Sequence, residues 1–172
     1  MIDCRVCEMT SNQHQTDPRW PGRSGLLQVF WTYLGVSYVG HLLWEFLQLP
    51  LYTIWSTGTA QEIVFAVLHC AAGDVLIATS ALCGALAVRW FWSWPRRSLR
   101  SLAALIILFG LGYTAFSEWL NVYVRNSWKY SPMMPLLRIG AIGFGLSPLL
   151  QWIAVPSLVL SVVSYRLSWL RR

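Results

Sequence analysis

Long apolar stretches alternate along the chain with short polar segments that carry most of its charged residues. A helix needs roughly 20 residues to cross a hydrocarbon core of about 30 Å. Four apolar stretches are long enough: residues 26–48, 61–88, 101–124 and 142–165. The pattern therefore predicts an all-α integral membrane protein built as a four-helix transmembrane bundle. Pro156 lies well inside the last predicted span, and we expect it to kink that helix.

The distribution of Lys and Arg predicts how the spans are oriented, because cytoplasmic segments of membrane proteins are enriched in these residues. In a four-span chain the two ends and the second connection share one side. That side holds ten Lys and Arg: Arg5, Arg19, Arg23, Arg89, Arg96, Arg97, Arg100, Arg166, Arg171 and Arg172. The other side holds three: Arg125, Lys129 and Arg138. Both termini should therefore be cytoplasmic. If the protein is bacterial, we expect it in the plasma (inner) membrane.

The chain then divides into three parts. We expect a polar cytoplasmic tail at residues 1–25, a four-span membrane domain at 26–165 and a short basic cytoplasmic end at 166–172. The tail has no apolar core of a signal peptide, so no cleaved leader is expected. It carries an isolated Cys4-x-x-Cys7 pair, which is a weak metal or redox signal without a second ligand pair.

Composition agrees with a membrane protein and limits the partners. Hydrophobic residues make up 56% of the chain and charged residues 12%, with a mean hydropathy of +0.49 and eleven Trp. A net charge of +6 could indicate nucleic acid, but the charges lie between apolar runs, so no nucleic-acid partner is expected. The expected partners are membrane lipids and a hydrophobic small-molecule ligand. A homo-oligomer or a larger membrane complex stays open.

Five ionisable side chains lie inside the predicted spans: His41, Glu45, His69, Asp74 and Glu118. Each such group costs about 2.5 to 3.5 kcal/mol near the bilayer centre on insertion scales, so these residues are rare and usually face the bundle interior or a water-filled cavity. One alone is often a packing partner, but five from three spans at one level indicate a functional site. The predicted orientation puts all five at one depth, between the midplane and the non-cytoplasmic surface. We therefore expect an intramembrane acid–base site in the outer half of the bilayer, made of groups whose pKa values are perturbed.

Helical spacing adds uncharged polar neighbours to these groups. Residues three or four positions apart share a helix face, which predicts polar stripes at Tyr38, His41, Glu45 and Gln48, at Thr114, Glu118 and Asn121, and at Ser147 and Gln151. His69 and Asp74 are five positions apart, so a site that uses both must wrap around the second span. We predict His41, Glu45, His69, Asp74 and Glu118 as catalytic residues, and Tyr38, Asn121, Gln151 and Trp152 as substrate-binding residues.

Three kinds of chemistry fit such a site. The first is metal-free proton transfer on a lipid-like substrate such as a sterol, isoprenoid or quinone. The second is a zinc or iron enzyme with His, Glu and Asp ligands, although the sequence has no His-Glu-x-x-His or Glu-x-x-His motif, so no cofactor is favoured. The third is a transporter, channel, receptor or complex subunit without enzymatic activity.

The His41-Leu-Leu-Trp-Glu45 element at the start of a four-span unit resembles the His-x-x-x-Glu signature of the EXPERA family, which includes the emopamil-binding sterol isomerases and the sigma-2 receptor. The resemblance continues as a pattern over residues 26–165. Asp74 and Glu118 are similar to acids of the second and third spans of that family. Gln151, Trp152 and Pro156 resemble a polar residue followed by Trp and Pro in the fourth.

The resemblance implies a sterol-isomerase type of site among the membrane helices. His41 and Glu45 would be proton donor and acceptor, Asp74 and Glu118 supporting acids, and Trp152 the ring that faces a carbocation. Three features depart from the family pattern. Gln151 stands where the family has Asn, with a different spacing to Trp, the acid of the second span is an Asp, Asp74, and His69 matches no family position.

Overall fold

The computed structural model describes residues 22–91 and 99–170. Within these ranges the chain forms the helices α1 (Arg23–Gln48), α2 (Ile54–Thr57), α3 (Ala60–Phe91), α4 (Leu99–Trp119) and α5 (Leu146–Leu170), and the strands β1 (Leu136–Ile139) and β2 (Ile142–Gly145). A 3-10 turn at Leu49–Leu51 follows α1, and a π-helical turn at Leu120–Val124 follows α4. Cys4, Cys7, most of the tail and the last two arginines lie outside the described residues.

Four of these helices are long and apolar enough to cross a membrane, which agrees with the four predicted spans. With their flanking turns they cover Arg23–Leu51, Ala60–Phe91, Leu99–Val124 and Leu146–Leu170. The protein is thus an integral membrane protein by the length and composition of its helices. Many large apolar side chains on them are exposed in the isolated chain, as lipid-facing positions must be.

The four long helices pack as a closed ring, in which α1 and α4 each contact both α3 and α5. Small residues let them approach closely, as membrane helix interfaces require. Gly40 on α1 lies against Val155 on α5, where a Cβ atom would come within 2.9 Å of the valine side chain. Two apolar clusters fill the bundle: Tyr33, Ala78, Trp152, Val155, Val159, Val163 and Leu167 in one, and Ala81, Ala85, Leu102 and Ile106 in the other.

The prediction of an all-α chain is wrong at residues 136–145, which form an antiparallel hairpin with Leu136 opposite Gly145 and Ile139 opposite Ile142. The two-residue loop starts at Gly140, whose φ is +62°. A type II′ hairpin turn requires a positive φ at this position, and glycine adopts it without strain. As a result the fourth span begins at Leu146, later than the predicted residue 142. Pro156 lies inside α5 and is buried.

The two connections at one end of the bundle are fastened to each other by backbone hydrogen bonds. The Thr53 N–H donates to the carbonyl of Lys129 at 3.0 Å, and the Ser131 N–H donates to the carbonyl of Leu51 at 2.9 Å. Tyr52 and Tyr130 form an isolated antiparallel bridge between these two bonds. The connection after α1 and the connection after α4 therefore form a joint cover over this end of the bundle.

Candidate functional site

A cavity of about 390 Å³ lies between the long helices, under the joint cover. All four helices contribute to its wall: Glu45 and Gln48 from α1, His69, Asp74 and Ile77 from α3, Thr114, Glu118 and Asn121 from α4, and Gln151 and Trp152 from α5. A volume of this size is typical of sites that bind small organic ligands. Most of the intramembrane polar residues that the sequence singles out thus line one cavity, whereas His41 is not part of its wall and contacts the others through Gln151.

Gln151 joins three of the predicted catalytic side chains. Its side-chain nitrogen lies 2.9 Å from Nδ1 of His41, 3.2 Å from Oε1 of Glu45 and 2.8 Å from Oδ2 of Asp74. A primary amide carries two N–H bonds, so it cannot satisfy three acceptors fully at the same time. The third contact is satisfied when a proton resides on one of the other partners. The arrangement therefore couples the position of a proton to the hydrogen bonding of all four side chains.

His41 is almost completely buried within this group. It is 1% exposed, and its Nδ1 lies 3.4 Å from Oδ2 of Asp74. The indole of Trp152 packs against the imidazole with a centroid distance of 5.0 Å and an interplanar angle of 44°. Neutral His41 accepts the Gln151 N–H at Nδ1, whereas protonated His41 donates from Nδ1 to Asp74. The same ring nitrogen can thus take up and release a proton without a side-chain rotation.

Glu45 is oriented by a chain of hydrogen bonds that begins on the other side of α1. The Trp44 indole N–H donates to the Ser147 hydroxyl at 3.2 Å, and this hydroxyl donates to Oε1 of Gln48 at 2.9 Å. The Gln48 amide then donates to Oε1 of Glu45 at 2.8 Å. Both amide hydrogen bonds of Glu45, from Gln48 and from Gln151, fall on Oε1. Oε2 remains as the oxygen through which Glu45 can exchange a proton.

Glu118 belongs to a second polar group at the covered end of the cavity. It is 5% exposed, and the Tyr130 hydroxyl donates a hydrogen bond to its Oε2. The Tyr130 oxygen also accepts the N–H of Gly145 at 3.0 Å. Tyr52 and the Trp128 indole lie close to the same carboxyl. Three aromatic side chains therefore surround this acid, and Tyr130 is the one that donates a hydrogen bond to it.

Both tyrosines of this group keep their protons well into the alkaline range. Burial raises the pKa of Tyr130 far above its ordinary value, and its hydrogen bond to Glu118 acts in the same direction. Burial also raises the pKa of Tyr52, with the nearby negative charges of Glu118 and Glu45 as further causes. Both phenols therefore remain hydrogen-bond donors at any physiological pH.

The remaining predicted residues are placed less centrally. Asn121 lines the cavity, and its amide donates to the carbonyl and the hydroxyl of Ser117 at 2.9 and 3.2 Å. His69 lines the cavity from an exposed position and stacks on Phe65 with a centroid distance of 5.4 Å. It does not join the group around Gln151. Tyr38 is 40% exposed and is not part of the cavity wall.

Helix geometry explains the position of Tyr38. The buried polar face of α1 follows Ser37, His41 and Gln48. Residues three apart are separated by about 300° around a helix, so Tyr38 lies roughly 60° from His41. Ser37, four residues before His41, lies about 40° away on the opposite side and is 2% exposed. The step of three residues from His41 back to Tyr38 therefore leads away from the buried face, whereas the step of four residues to Ser37 stays on it.

Several residues of the site were not among the predicted set. They are Gln48, Ser147, Tyr52, Trp128 and Tyr130. Gln48 and Ser147 carry a signal, since both belong to polar stripes on predicted spans. The three aromatic residues lie in connections, where periodicity says nothing about the path of the chain. Their positions depend on the hydrogen bonds that join the two connections.

The metal alternative lacks a ligand set in the described residues. No three His, Cys, Asp or Glu side chains within 22–91 and 99–170 come together in a way that could hold a metal ion. At the centre of the site, His41, Glu45 and Asp74 do not form such a ligand set, because the amide nitrogen of Gln151 stands between them. An N–H donor in that position occupies the lone pairs that a cation would need.

No protein-family model, no curated protein and no solved structure matches the chain.

Proposed function

We propose that the protein acts on a lipid-like ligand by proton transfer inside the membrane. The observation that carries the proposal is the position of the Gln151 amide nitrogen, which lies within hydrogen-bond distance of His41, Glu45 and Asp74 on the wall of a cavity. One imidazole and two carboxyl groups that share a donor form a set able to hold a proton and to accept another.

In the proposed reaction, one side chain of this group protonates the ligand and another removes a proton at a second position. Glu45 is the better candidate for contact with the ligand, because it lines the cavity and its Oε2 is free of the amide hydrogen bonds. His41 is buried behind it and exchanges protons with Asp74. Gln151 holds the three groups at fixed distances, which lowers the cost of reaching the reactive geometry.

The ligand class follows from the location and the wall of the cavity. A water-soluble substrate need not be met among membrane helices, so a sterol, an isoprenoid or a quinone is the better fit. The apolar part of the wall includes Val67, Ile77 and Trp152. The indole of Trp152 can stabilise positive charge on a reacting carbon through its ring face.

These features support the resemblance to the EXPERA family as a proposal. His41, Glu45 and Asp74 meet at one point, and Trp152 packs against the imidazole. Glu118 lies on the same cavity but in a separate group of aromatic donors. A double-bond isomerisation through a carbocation would use the first group for proton transfer and the Trp152 ring for stabilisation.

The proposed orientation has both termini in the cytoplasm, which puts the joint cover and the cavity in the outer half of the bilayer. The support is the excess of ten Lys and Arg over three on the two sides. The ligand would then enter from the outer leaflet. If the protein is bacterial, the membrane is the inner one.

Hydrogen exchange with solvent tests the proposed reaction directly. Purified protein is incubated in D2O with sterols, isoprenoids and quinones in turn, and carbon-bound deuterium in each lipid is measured by mass spectrometry. We expect incorporation with one class of lipid, and a loss of about 10²- to 10⁴-fold in its rate for Glu45→Gln. Glu62→Gln is the matched control, because Glu62 is exposed and does not line the cavity.

Other outcomes point to the alternatives. A ligand that binds tightly but exchanges no hydrogen in wild-type protein indicates a receptor. Near-stoichiometric zinc or iron that disappears in His41→Ala and Glu45→Ala indicates a metal enzyme. A stoichiometric protein partner that co-purifies, together with a folded chain that is inactive alone, indicates a complex subunit.

A further inference from the structure

The end of the cavity next to the joint cover is lined by residues that the proton-transfer chemistry does not use. They are Arg125, Ser127 and Trp128, which follow the π-helical turn Leu120–Val124. A π turn at the end of a transmembrane helix is uncommon and often marks a functional position. This end of the cavity therefore needs an explanation of its own.

The segment is held in a defined conformation. The Arg125 N–H donates to the carbonyl of Leu120 at 2.8 Å, and the Ser127 N–H donates to the carbonyl of Asn121 at 2.8 Å. Asn126 between them has a φ of +53°, which is uncommon for a residue other than glycine. These contacts turn the chain back over the cavity and bring Ser127 and Trp128 to its wall.

The polar groups at this end are mainly hydrogen-bond donors. Arg125 forms no ion pair with an acid in residues 22–91 and 99–170. The Trp128 indole N–H is buried and has no hydrogen-bond partner among the same residues, although it lies near Glu118. A guanidinium and an indole can donate but not accept. A buried donor without a partner is unfavourable, and an acceptor on a ligand would remove that cost.

The depth of these residues matches that of a lipid head group. Val124 is the last residue of the third membrane-spanning segment, and Arg125 follows it directly. Arg125 is seven residues beyond Glu118, which corresponds to roughly 10 Å along the helix. A ligand with its head group at Arg125 therefore has its apolar part inside the cavity, in the direction of Gln151.

We propose that Arg125, Ser127 and Trp128 form a subsite for the anionic head group of an amphiphile, a phosphate or a carboxylate, whose apolar part reaches the group around Gln151. The inference rests on the proposed function for the role of that group, but the subsite itself needs only the cavity. It narrows the ligand from any membrane lipid to one with a negatively charged end. Glu118 repels an anion at Arg125 only weakly, since Arg125 is two helical turns away, whereas the Trp128 indole at the other side of the subsite lies close to this acid.

Binding of four simple probes tests the subsite without knowledge of the natural ligand. The probes are dodecyl phosphate, dodecanoate, dodecanol and inorganic phosphate, each titrated calorimetrically into purified protein in micelles. We expect dodecyl phosphate or dodecanoate to bind wild-type protein at least about tenfold tighter than dodecanol, because a charge-assisted hydrogen bond strengthens binding by about that factor. Inorganic phosphate alone should bind weakly, since it lacks the apolar part.

Two variants and one control show which residues cause the preference for the charged probes. Arg125→Ala should remove the preference for the charged probes, and Trp128→Phe should reduce it while keeping the ring. Arg138→Ala removes one charge from the same connection, but Arg138 is exposed on β1 and does not line the cavity, so the preference should persist. Size-exclusion profiles and melting temperatures show that each variant is folded.

The results separate this inference from the proposed function. Equal binding of charged and uncharged probes, or a preference that Arg138→Ala reduces as much as Arg125→Ala, overturns the subsite. Failure of every probe to bind folded wild-type protein overturns it as well. The deuterium-exchange rate of the Glu45→Gln variant is measured independently. Loss of exchange there upholds the proton-transfer site even when the head-group subsite fails.

Discussion

The indole of Trp152 lies directly on Gly110, so closely that a Cβ atom at position 110 would overlap the ring. The two residues belong to neighbouring helices, α5 and α4, and both are buried. The same ring lines the cavity and packs against His41. The absence of a side chain at Gly110 therefore fixes the position of the aromatic wall next to the acid–base group.

Gly110→Ala should destabilise the protein by about 1 to 3 kcal/mol, because the added methyl group must displace a buried indole. Gly112→Ala is the matched control on the same helix, since a Cβ there meets nothing within 4 Å. Thermal unfolding in micelles compares the two variants. A melting temperature of Gly110→Ala equal to that of Gly112→Ala would contradict the close contact.

At neutral pH, Gln151→Glu should lower the stability of the protein more than Gln151→Leu does. Glu replaces the shared N–H donor by a third carboxyl group beside Glu45 and Asp74, so the site loses a donor and gains an acceptor. At acidic pH a protonated carboxyl can donate again, and the stability of Gln151→Glu should recover relative to Gln151→Leu. Melting temperatures measured across pH test this reversal. A Gln151→Glu protein as stable as wild type at neutral pH would show that Gln151 is not the shared donor.

The extent to which the sequence predicts this structure differs between spans and connections. The apolar stretches predict the four long helices, because in a bilayer every backbone polar group must be satisfied within its own helix. The convergence of Glu45, Asp74 and Gln151 on one cavity agrees with the common level along the bundle that the direction of the spans predicts. What periodicity could not supply is the exact angular position of each side chain, as the exposed Tyr38 illustrates.

The connections were harder to predict because tertiary hydrogen bonds set their path. Tyr130 reaches Glu118 since its segment is fastened to Leu51 and Thr53, and no local pattern reveals that contact. The β-hairpin did have a local signal. Gly140 and Ala141 form a two-residue Gly-X loop between Ile139 and Ile142, which is typical of a tight hairpin. The apolar run that continues from it into α5 concealed the boundary.

Tyr130→Phe should affect both the cover and the acid beneath it. The substitution removes the donor to Glu118 and the acceptor of the Gly145 N–H, at a cost of about 1 to 3 kcal/mol. Tyr123→Phe is the comparison, because the Tyr123 hydroxyl also bonds to the hairpin, through the N–H and carbonyl of Gly143, each at 2.8 Å. We expect similar losses of stability, but a reduced deuterium-exchange rate only in Tyr130→Phe. Equal exchange rates in the two variants would argue against a role for Glu118.

The raised pKa of Tyr130 predicts the response of the protein to alkaline pH. In the unfolded chain this phenol ionises near its ordinary value of 10.0, while in the folded protein it keeps its proton. The stabilisation is thus fully present below pH 10 and is lost as the pH rises above it. Tyr130→Phe should leave the tyrosinate absorbance that develops near pH 10 in folded protein unchanged. Above pH 10 the Tyr130→Phe variant should also lose less stability than wild type. A tyrosinate absorbance near pH 10 that is lower in the variant than in wild type would show that Tyr130 titrates normally.

Thiol labelling tests the orientation on which the proposed outer-half location depends. In a background where Cys70 and Cys83 are replaced by Ala, the remaining cysteines are Cys4 and Cys7 in the tail. A membrane-impermeant maleimide should not label them in intact cells and should do so after permeabilisation. Met133→Cys adds a thiol in the connection after α4, at a position 64% exposed. In a background that lacks Cys4 and Cys7 as well, this thiol should be labelled from outside, because the joint cover then lies on the outer surface. The opposite pattern would place the cavity in the cytoplasmic half of the bilayer and the ligand in the inner leaflet.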